Sequence, residues 1–216
     1  MMSEDIIDKS YFSTGMSKCS LDDWQYEMRR DMQEIIPGIY LGPLAVCRDT
    51  AGLQKAGITH VVCLLDETEA NLFHRTLEAV GQFQHYVLNV SDNIRQPLIC
   101  HFPTTNAFIR EARDQGGKVL ICCNGGMSRS PCFVIAYIME TYDVDAKEAY
   151  QFVQSKRLCI NPNDLFKSQL KEYEPIFRAA KTPDQGISRQ KRNALMDGMD
   201  SQAPNKRQWQ PSDPMI

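Results

Sequence analysis

A cysteine and an arginine separated by five residues, Cys123 and Arg129, are the side chains in this sequence best suited to covalent chemistry. A thiolate is a strong nucleophile, and a guanidinium can hold two oxygens of one phosphoryl group. The intervening residues include Gly125 and Gly126, and glycine allows backbone angles that a Cβ would resist. The spacing predicts that the thiol lies at the base of a tight loop and that the guanidinium folds over the mouth of that loop.

The backbone of this loop is itself suited to binding an anion. The loop follows an apolar run at residues 119–121, typical of a buried strand, and precedes an apolar segment from Ser130 that is typical of a helix. A tight turn from strand to helix directs successive N–H groups toward one point, and the helix N-terminus adds positive potential. These groups favour the thiolate form of Cys123. The predicted phosphate-binding residues are Asn124, Gly125, Gly126, Met127, Ser128 and Arg129.

Ser130, directly after the arginine, has the side chain needed for a second chemical step. Its hydroxyl could donate a hydrogen bond to the thiolate of Cys123 and help it leave when a phosphocysteine is hydrolysed. The full pattern CNGGMSRS between an apolar strand and an apolar helix is far more restrictive than the cysteine–arginine spacing alone. An ordinary glycine-rich turn is the alternative, and it leaves Arg129 without a role.

The loop, the helix after it and the later segment NPNDLF resemble the dual-specificity protein phosphatases over residues 35–177. The resemblance implies a protein tyrosine phosphatase-like α/β fold and hydrolysis of phosphotyrosine, and of phosphoserine or phosphothreonine, through a phosphocysteine at Cys123. It also implies that Asp92, in a loop after a strand, is the general acid that protonates the leaving oxygen. The alternatives are an Asp-Asn turn without a catalytic role and Asp66 as the acid.

One subgroup of that family is similar to this chain in further segments, including WQYEMRRDMQEIIPGIYLGP, FVIAYIMET and QLKEYE. Members of the subgroup are regarded as pseudophosphatases and have glycine where the nucleophile should stand, whereas this chain has Cys123. The histidine that precedes the nucleophile in active members is here Cys122. The resemblance implies a phosphatase with reduced activity and a pH optimum shifted upward, or alternatively a protein that binds phosphoproteins without turnover.

The same resemblance bears on partners. The expected partner is a phosphoprotein substrate or ligand, such as a mitogen-activated protein (MAP) kinase. A third alternative is an adaptor that binds kinases or ubiquitin-ligase components independently of phosphate.

Composition and length predict one α/β domain. The chain has 216 residues, of which 43% are hydrophobic and 24% are charged. This length is sufficient for one such domain and too short for two of ordinary size. We expect it at residues 28–178, after a partly disordered arm at 1–27 and before a disordered polar tail at 179–216. The net charge of −3 gives no reason to expect nucleic acid. Without a signal peptide or an apolar stretch of membrane-spanning length, we expect a cytoplasmic or nuclear protein with no membrane partner. We also expect a monomer.

The eight cysteines allow several interpretations. A secreted disulfide framework is disfavoured because several of them lie in apolar runs, where free cysteine packs as a small hydrophobe. A zinc site of Cys122, Cys123, Cys132 and His101 is disfavoured because adjacent strand residues point to opposite faces. We therefore expect no metal and no cofactor. If Cys123 were oxidised, Cys132 could trap its sulfenic acid, whereas the adjacent Cys122 could do so only with strain.

Apolar patterns place these side chains on alternating strands and helices. Strands are predicted at residues 39–42, 58–65 and 85–90 and in the run leading to Cys123. Helices are predicted at residues 49–56, within 66–84, and at 98–115, 130–141, 145–156 and 164–178. Residues 21–36 are predicted to form an irregular or partly helical arm, and Asn163 and Phe166 to brace the loop by packing. The alternation favours a central, largely parallel sheet with helices on its faces.

Overall fold

The fold is known from a computed structural model that describes residues 7–14 and 24–181. The predicted tail at 179–216 lies outside the described residues from position 182 onward, and most of the predicted arm at 1–27 does too. The last helix runs to Lys181, past the predicted domain boundary at 178. In the part of the chain that is described, no helix combines the length and apolar character needed to cross a membrane.

Five strands form one sheet, four of them at the predicted positions. They are β1 (Gln33–Ile36), β2 (Ile39–Pro43), β3 (Ile58–Leu65), β4 (Gln84–Asn89) and β5 (Lys118–Cys123). Their order across the sheet is β1-β2-β5-β3-β4, with β1 antiparallel to β2 and the other pairs parallel. The predicted α/β fold with a mostly parallel sheet is confirmed, and the carboxyl ends of the four parallel strands lie along one edge.

Strand β1 corrects the prediction of an irregular or partly helical arm at residues 21–36. A short 3-10 helix, Tyr26–Arg30, precedes β1. Gly38, with a φ of 77°, turns the chain so that β1 pairs back onto β2, and β1 thereby buries Ile36. A four-residue strand is too short to show alternation in the sequence, and the pairing that forms it comes from the turn.

Helices cover both faces of the sheet. They are α1 (Lys9–Thr14), α2 (Thr50–Lys55), α3 (Glu67–Leu72), α4 (His74–Val80), α5 (Phe102–Asp114), α6 (Arg129–Tyr142), α7 (Ala146–Lys156) and α8 (Asp164–Lys181). Side chains of α2 and α4 pack on one face with Leu120 of β5, and those of α5 to α8 pack on the other face with Ile121. Alternate residues of β5 therefore serve two separate apolar layers, as the two-residue period of a strand requires.

Helix α6 is the most deeply buried of these helices. Every residue from 129 to 139 is buried, and the helix ends at Tyr142 and is followed by Asp143, whose φ is 55°. The strand before the predicted loop, β5, is also buried, apart from the partly exposed Lys118. The loop between them is thus fixed at both ends in the core, which is the support that a precise anion site requires.

Candidate active site

The loop at residues 124–128 lies at the carboxyl edge of the sheet, in the middle of the strand order. Cys123, the last residue of β5, is in register with Pro43 of β2 and Leu64 of β3. A cleft of about 1120 Å³ opens above it. Seven of the predicted site residues line this cleft, namely Asp92, Cys123, Asn124, Gly125, Met127, Ser128 and Arg129. The sheet therefore brings the predicted nucleophile, arginine and acid to one place.

Gly126 is the position in this loop where glycine is required. Its φ is 65°, and a Cβ there would lie 2.4 Å from the carbonyl carbon of Gly42. Gly125 has no such angle, and a Cβ there would make only ordinary contacts with Met127. The expectation that both glycines adopt angles resisted by a Cβ is therefore wrong for Gly125, because the sharp turn is made at a single residue.

Cys123 has a hydrogen-bond donor directed at its sulfur. The hydroxyl of Ser130 donates to Cys123 Sγ over 3.1 Å, and both residues are buried. This is the contact expected from the sequence. It gives the sulfur a neutral donor that can stabilise negative charge as the thiolate forms or leaves.

Arg129 is buried and held by a carboxylate that the sequence reasoning missed. Its two terminal nitrogens donate to the two carboxylate oxygens of Glu69, with N–O distances of 2.5 and 2.7 Å, and one of them also donates to the Val90 carbonyl at 3.0 Å. The remaining nitrogen, Arg129 Nε, is buried without a partner among the described residues. A buried N–H without an acceptor is costly, so an oxygen of a bound anion fits the free side of this guanidinium.

Glu69 reaches this position because of the local structure at the start of α3. Asp66 and Glu69 form a capping box, in which the Asp66 side chain accepts from the Glu69 backbone N–H at 2.8 Å. The Glu69 carboxylate also accepts from the Asn124 side chain at 2.9 Å. The D-x-x-E pattern after β3 marks this helix start in the sequence, but it does not indicate that Glu69 reaches Arg129. Asp66, the second candidate for the acid, is thus engaged as a helix cap.

The electrostatics of the pair keep both groups ionised. Burial alone would raise the pKa of Glu69, but hydrogen bonds from Arg129 and from the Asp66 backbone outweigh it, and the pKa lies below the usual carboxyl range. Burial alone would lower the pKa of Arg129, but the Glu69 hydrogen bonds and the nearby Cys123 raise it above its ordinary value. The pair is therefore a fixed ionic element of the site.

Asp92 lies at the mouth of the cleft, beside the loop. Its Oδ1 accepts a hydrogen bond from the Ser128 hydroxyl at 2.7 Å. A turn is present at the next residue, where the Asn93 side chain accepts a hydrogen bond from the Arg95 backbone N–H at 2.8 Å. The Asp92 carboxyl group is thereby left facing the loop, where a proton donor for a leaving group must stand.

Cys122 faces the sheet layer opposite to Cys123. Its sulfur lies 4.0 Å from Cys47 Sγ and 3.7 Å from Cys63 Sγ, and donates to the Val62 carbonyl at 3.4 Å. Hydrogen bonds with these two thiols, together with burial, hold the pKa of Cys122 well above its usual range. Cys122 is therefore a neutral packing residue. Among residues 7–14 and 24–181, no group of three or more potential ligands could hold a metal ion.

The segment between α7 and α8 braces the loop through its backbone. The Asn161 N–H donates to the Met127 carbonyl at 2.7 Å. Asn163 instead caps α8 by accepting from the Phe166 N–H at 2.9 Å, and the Phe166 ring is buried in the core. The backbone contact of Asn161 is thus added to the packing predicted for Phe166, which lies in the same buried cluster as Cys123.

The buried Cys123 thiol, with the Ser130 donor at its sulfur and Arg129 at the same loop, has the arrangement expected for the dual-specificity phosphatase family. The sequence matches the model of the dual specificity phosphatase catalytic domain over residues 39–176, and the chain belongs to this family.

Individual relatives agree with that assignment. The human serine/threonine/tyrosine-interacting protein is 45% identical over 172 residues, which cover 79% of this chain and 76% of the relative. Human dual specificity protein phosphatase 22 is 35% identical over 147 residues, covering 68% of this chain and 76% of the relative. The crystal structure of human tyrosine phosphatase-like serine/threonine/tyrosine-interacting protein matches with a TM-score of 0.63 and 44% identity, covering 69% of this chain and 99% of the other.

Proposed function

We propose that this protein is a phosphoprotein phosphatase of dual-specificity type that works through a phosphocysteine intermediate. The observation that carries the proposal is the Ser130 hydroxyl, which lies 3.1 Å from the sulfur of Cys123 inside the anion-binding loop. Binding of phosphate requires the loop and Arg129, whereas a donor directed at sulfur serves a sulfur that gains and loses charge. Family membership and a relative named as a dual specificity phosphatase support the same reaction class.

In the first step the Cys123 thiolate attacks phosphorus. The S–P bond forms as the bond from phosphorus to the leaving oxygen breaks, and Asp92 gives its proton to that oxygen. The backbone N–H groups of the loop and the free side of Arg129 hold the three remaining phosphoryl oxygens. Glu69 keeps the guanidinium oriented during this step because it fixes the opposite edge of the fork.

In the second step water attacks the phosphocysteine. Asp92, now a carboxylate, takes a proton from the water as the new P–O bond forms and the S–P bond breaks. The Ser130 hydroxyl donates to the departing thiolate, and inorganic phosphate is released. The chemistry needs no metal or cofactor, because each proton and charge has a residue of the site to receive it.

The substrate is proposed to be a phosphorylated side chain of a protein. The cleft is open, and its rim has exposed apolar side chains at Ile94 and Leu165, which suit the residues that flank a phosphorylated side chain. By family resemblance a MAP kinase is a candidate substrate or partner. The rim contacts are expected to contribute to affinity, whereas the loop determines the requirement for phosphate.

A second function, phosphoprotein binding without turnover, is favoured by one specific observation. Cys122 stands where active relatives have a histidine, and its side chain packs against other cysteines. A relative at 45% identity is also named as an interacting protein. In this alternative the same loop and Arg129 hold the phosphorylated segment, and Cys123 performs no chemistry. An adaptor that binds its partner independently of phosphate would need neither the loop nor Arg129.

The deciding experiment measures phosphate release from an aryl phosphate and a phosphotyrosine peptide in reducing buffer, from about pH 5 to about pH 8. We expect vanadate-sensitive turnover that is lost in Cys123→Ser, with an altered pH profile in Asp92→Ala. Turnover of the wild type no greater than that of Cys123→Ser would reject the enzyme. In that case, phosphopeptide binding that disappears in Arg129→Ala would establish the binder, and partner binding unaffected by Arg129→Ala would establish the adaptor.

A further inference from the structure

Arg157, just after α7, is an arginine whose side chain is completely buried. Its guanidinium donates to five acceptors that belong to two separate parts of the chain. They are the carbonyls of Gly126 at 3.0 Å, Gly125 at 3.4 Å, Asp31 at 2.8 Å and Arg29 at 2.8 Å, and the side-chain oxygen of Gln33. Arg157 therefore joins the predicted phosphate-binding loop to the segment that leads into β1.

All five acceptors are neutral, which is unusual for a buried arginine. Within the described residues, Arg157 forms no ion pair with a carboxylate. Buried charges in proteins are usually paired, because an isolated charge loses much of its hydration. The charged or titratable groups that act on Arg157 from nearby are Cys159, Cys123 and Asp31. The arrangement leaves a positive charge behind the loop without a counter-charge in contact with it.

The two loop acceptors fix the direction of particular backbone N–H groups. A peptide unit is planar and trans, so its N–H points opposite to its carbonyl. By holding the carbonyl of Gly125, Arg157 fixes the N–H of Gly126, and by holding the carbonyl of Gly126 it fixes the N–H of Met127. Both carbonyls are held on the side of the loop toward Arg157, so both N–H groups point away from it.

We propose that Arg157 is a positioning residue that turns the N–H groups of Gly126 and Met127 toward the phosphate site and stabilises anionic charge at the loop. The proposal rests on the proposed function only in taking the loop to be the oxyanion site. Arg157 acts through the backbone of Gly125 and Gly126 and through its charge. The segment at residues 29–33 holds its other donors, so the guanidinium cannot turn away from the loop without losing those bonds.

The test compares full-length wild type, Arg157→Lys and Arg157→Met, with Arg110→Met as the matched control. Arg110 pairs with Glu140 on the surface, so this control loses the same charge away from the loop. Two readouts are used that do not require turnover. The first is the pH dependence of Cys123 alkylation by iodoacetamide, followed by mass spectrometry of the peptide, and the second is the dissociation constant of orthovanadate. Melting temperature is recorded for every variant.

We expect Arg157→Lys to move the midpoint of the alkylation curve upward by about one pH unit. We also expect it to weaken vanadate binding by about tenfold, since the ammonium cannot hold both carbonyls and the 29–33 segment. Arg157→Met should show larger changes in both readouts. The control Arg110→Met should change neither the alkylation midpoint nor the vanadate affinity.

A folded Arg157→Lys protein with an unchanged midpoint and unchanged vanadate affinity, but a lower melting temperature, would overturn the proposal and make Arg157 a structural brace only. If Arg157→Met does not fold, Arg157→Lys decides alone. A wild type that alkylates normally but neither turns over substrate nor binds vanadate would reject the proposed function. The alkylation midpoints of the variants would still test the effect of Arg157 on the charge at the loop.

Discussion

Replacing Glu69 by glutamine removes the charge opposite Arg129 while nearly preserving the shape of the side chain. In the wild type the two oxygens of Glu69 accept from the two terminal nitrogens of Arg129, and the two side chains are only 16% and 3% exposed. An amide can present its oxygen to one of those nitrogens, and its NH2 group then faces the other. One more buried N–H of Arg129 thus loses its acceptor, in addition to Nε.

The expected loss of stability follows from this geometry. A buried donor without an acceptor costs about 1–3 kcal/mol, and removal of the counter-charge adds to that cost, although the slight exposure of Glu69 moderates it. We therefore expect the free energy of unfolding to fall by about 2–3 kcal/mol at neutral pH, which corresponds to a melting temperature lower by about 4–12 °C for a domain of this size. Glu174→Gln is the matched control. It weakens a more exposed pair with Arg178, and its cost should stay below about 1 kcal/mol.

The pH dependence of this loss identifies its source. The pKa of Glu69 is lower in the folded protein, because the hydrogen bonds from Arg129 and the Asp66 backbone outweigh the effect of burial. A carboxyl group with a lowered pKa contributes stability above its unfolded pKa and loses it as the pH falls through the folded pKa. The difference between wild type and Glu69→Gln should be constant above about pH 5 and shrink in more acidic buffer. A difference that stays constant down to about pH 2 would refute the ionic explanation.

Stability without ligand is the right assay here because phosphate affinity responds to two opposing effects. The neutral glutamine removes a negative charge that repels a phosphate dianion, which favours binding. It also frees the Arg129 fork, which disfavours bidentate binding. Thermal unfolding in phosphate-free buffer reports the contacts of the Glu69 carboxylate, chiefly those with Arg129, without a contribution from a bound anion. Turnover measured separately reports the orientation of Arg129, and we expect it to fall.

Two further substitutions test the packing around the loop. Gly126→Ala places a Cβ 2.4 Å from the Gly42 carbonyl carbon at a φ of 65°, so we expect a loss of about 3 kcal/mol in urea unfolding. Gly116→Ala, with a φ of 73° and no atom within 4 Å, should lose only about 1–2 kcal/mol, and equal losses would contradict the clash. Cys122→His must fit a larger ring where the sulfur lies 4.0 Å from Cys47 Sγ, so we expect overpacking to cost about 1–3 kcal/mol. Adding Cys47→Ala should restore part of the melting temperature, and a single variant as stable as wild type would refute the packing argument.

The parts of this fold that could be predicted from the sequence are those with a local cause. The strand at 58–65 is rich in β-branched and apolar residues in the sequence and has those bounds in the structure. Helix α6 was predicted within one residue at each end, because apolar residues fill it and the loop before it contains glycine. The family resemblance predicts Asp92 at the loop, and its position after a strand agrees with this because the ends of parallel strands share one edge of the sheet.

The parts that could not be predicted depend on contacts between distant residues. Glu69 precedes Arg129 by 60 residues, and only the pairing of β3 beside β5 brings its helix to the loop. Arg157 likewise meets a segment more than 120 residues earlier in the chain. In the sequence, Glu69 and Arg157 are charged residues near helix termini, and nothing local distinguishes them from other such residues. Their partners are set by tertiary packing, which hydrophobic periodicity does not encode.

The choice between catalysis and mere binding can be argued from the partner of Ser130. The serine is completely buried, and its hydroxyl donates to the sulfur of Cys123. A glycine at position 123 would remove that acceptor and leave a buried hydroxyl that needs another one. A protein that only held phosphate would gain nothing from the thiol, because the loop amides and Arg129 supply the binding. The sulfur and its donor are therefore the pair that the proposed turnover would use, in a step in which a bond to sulfur is made and broken.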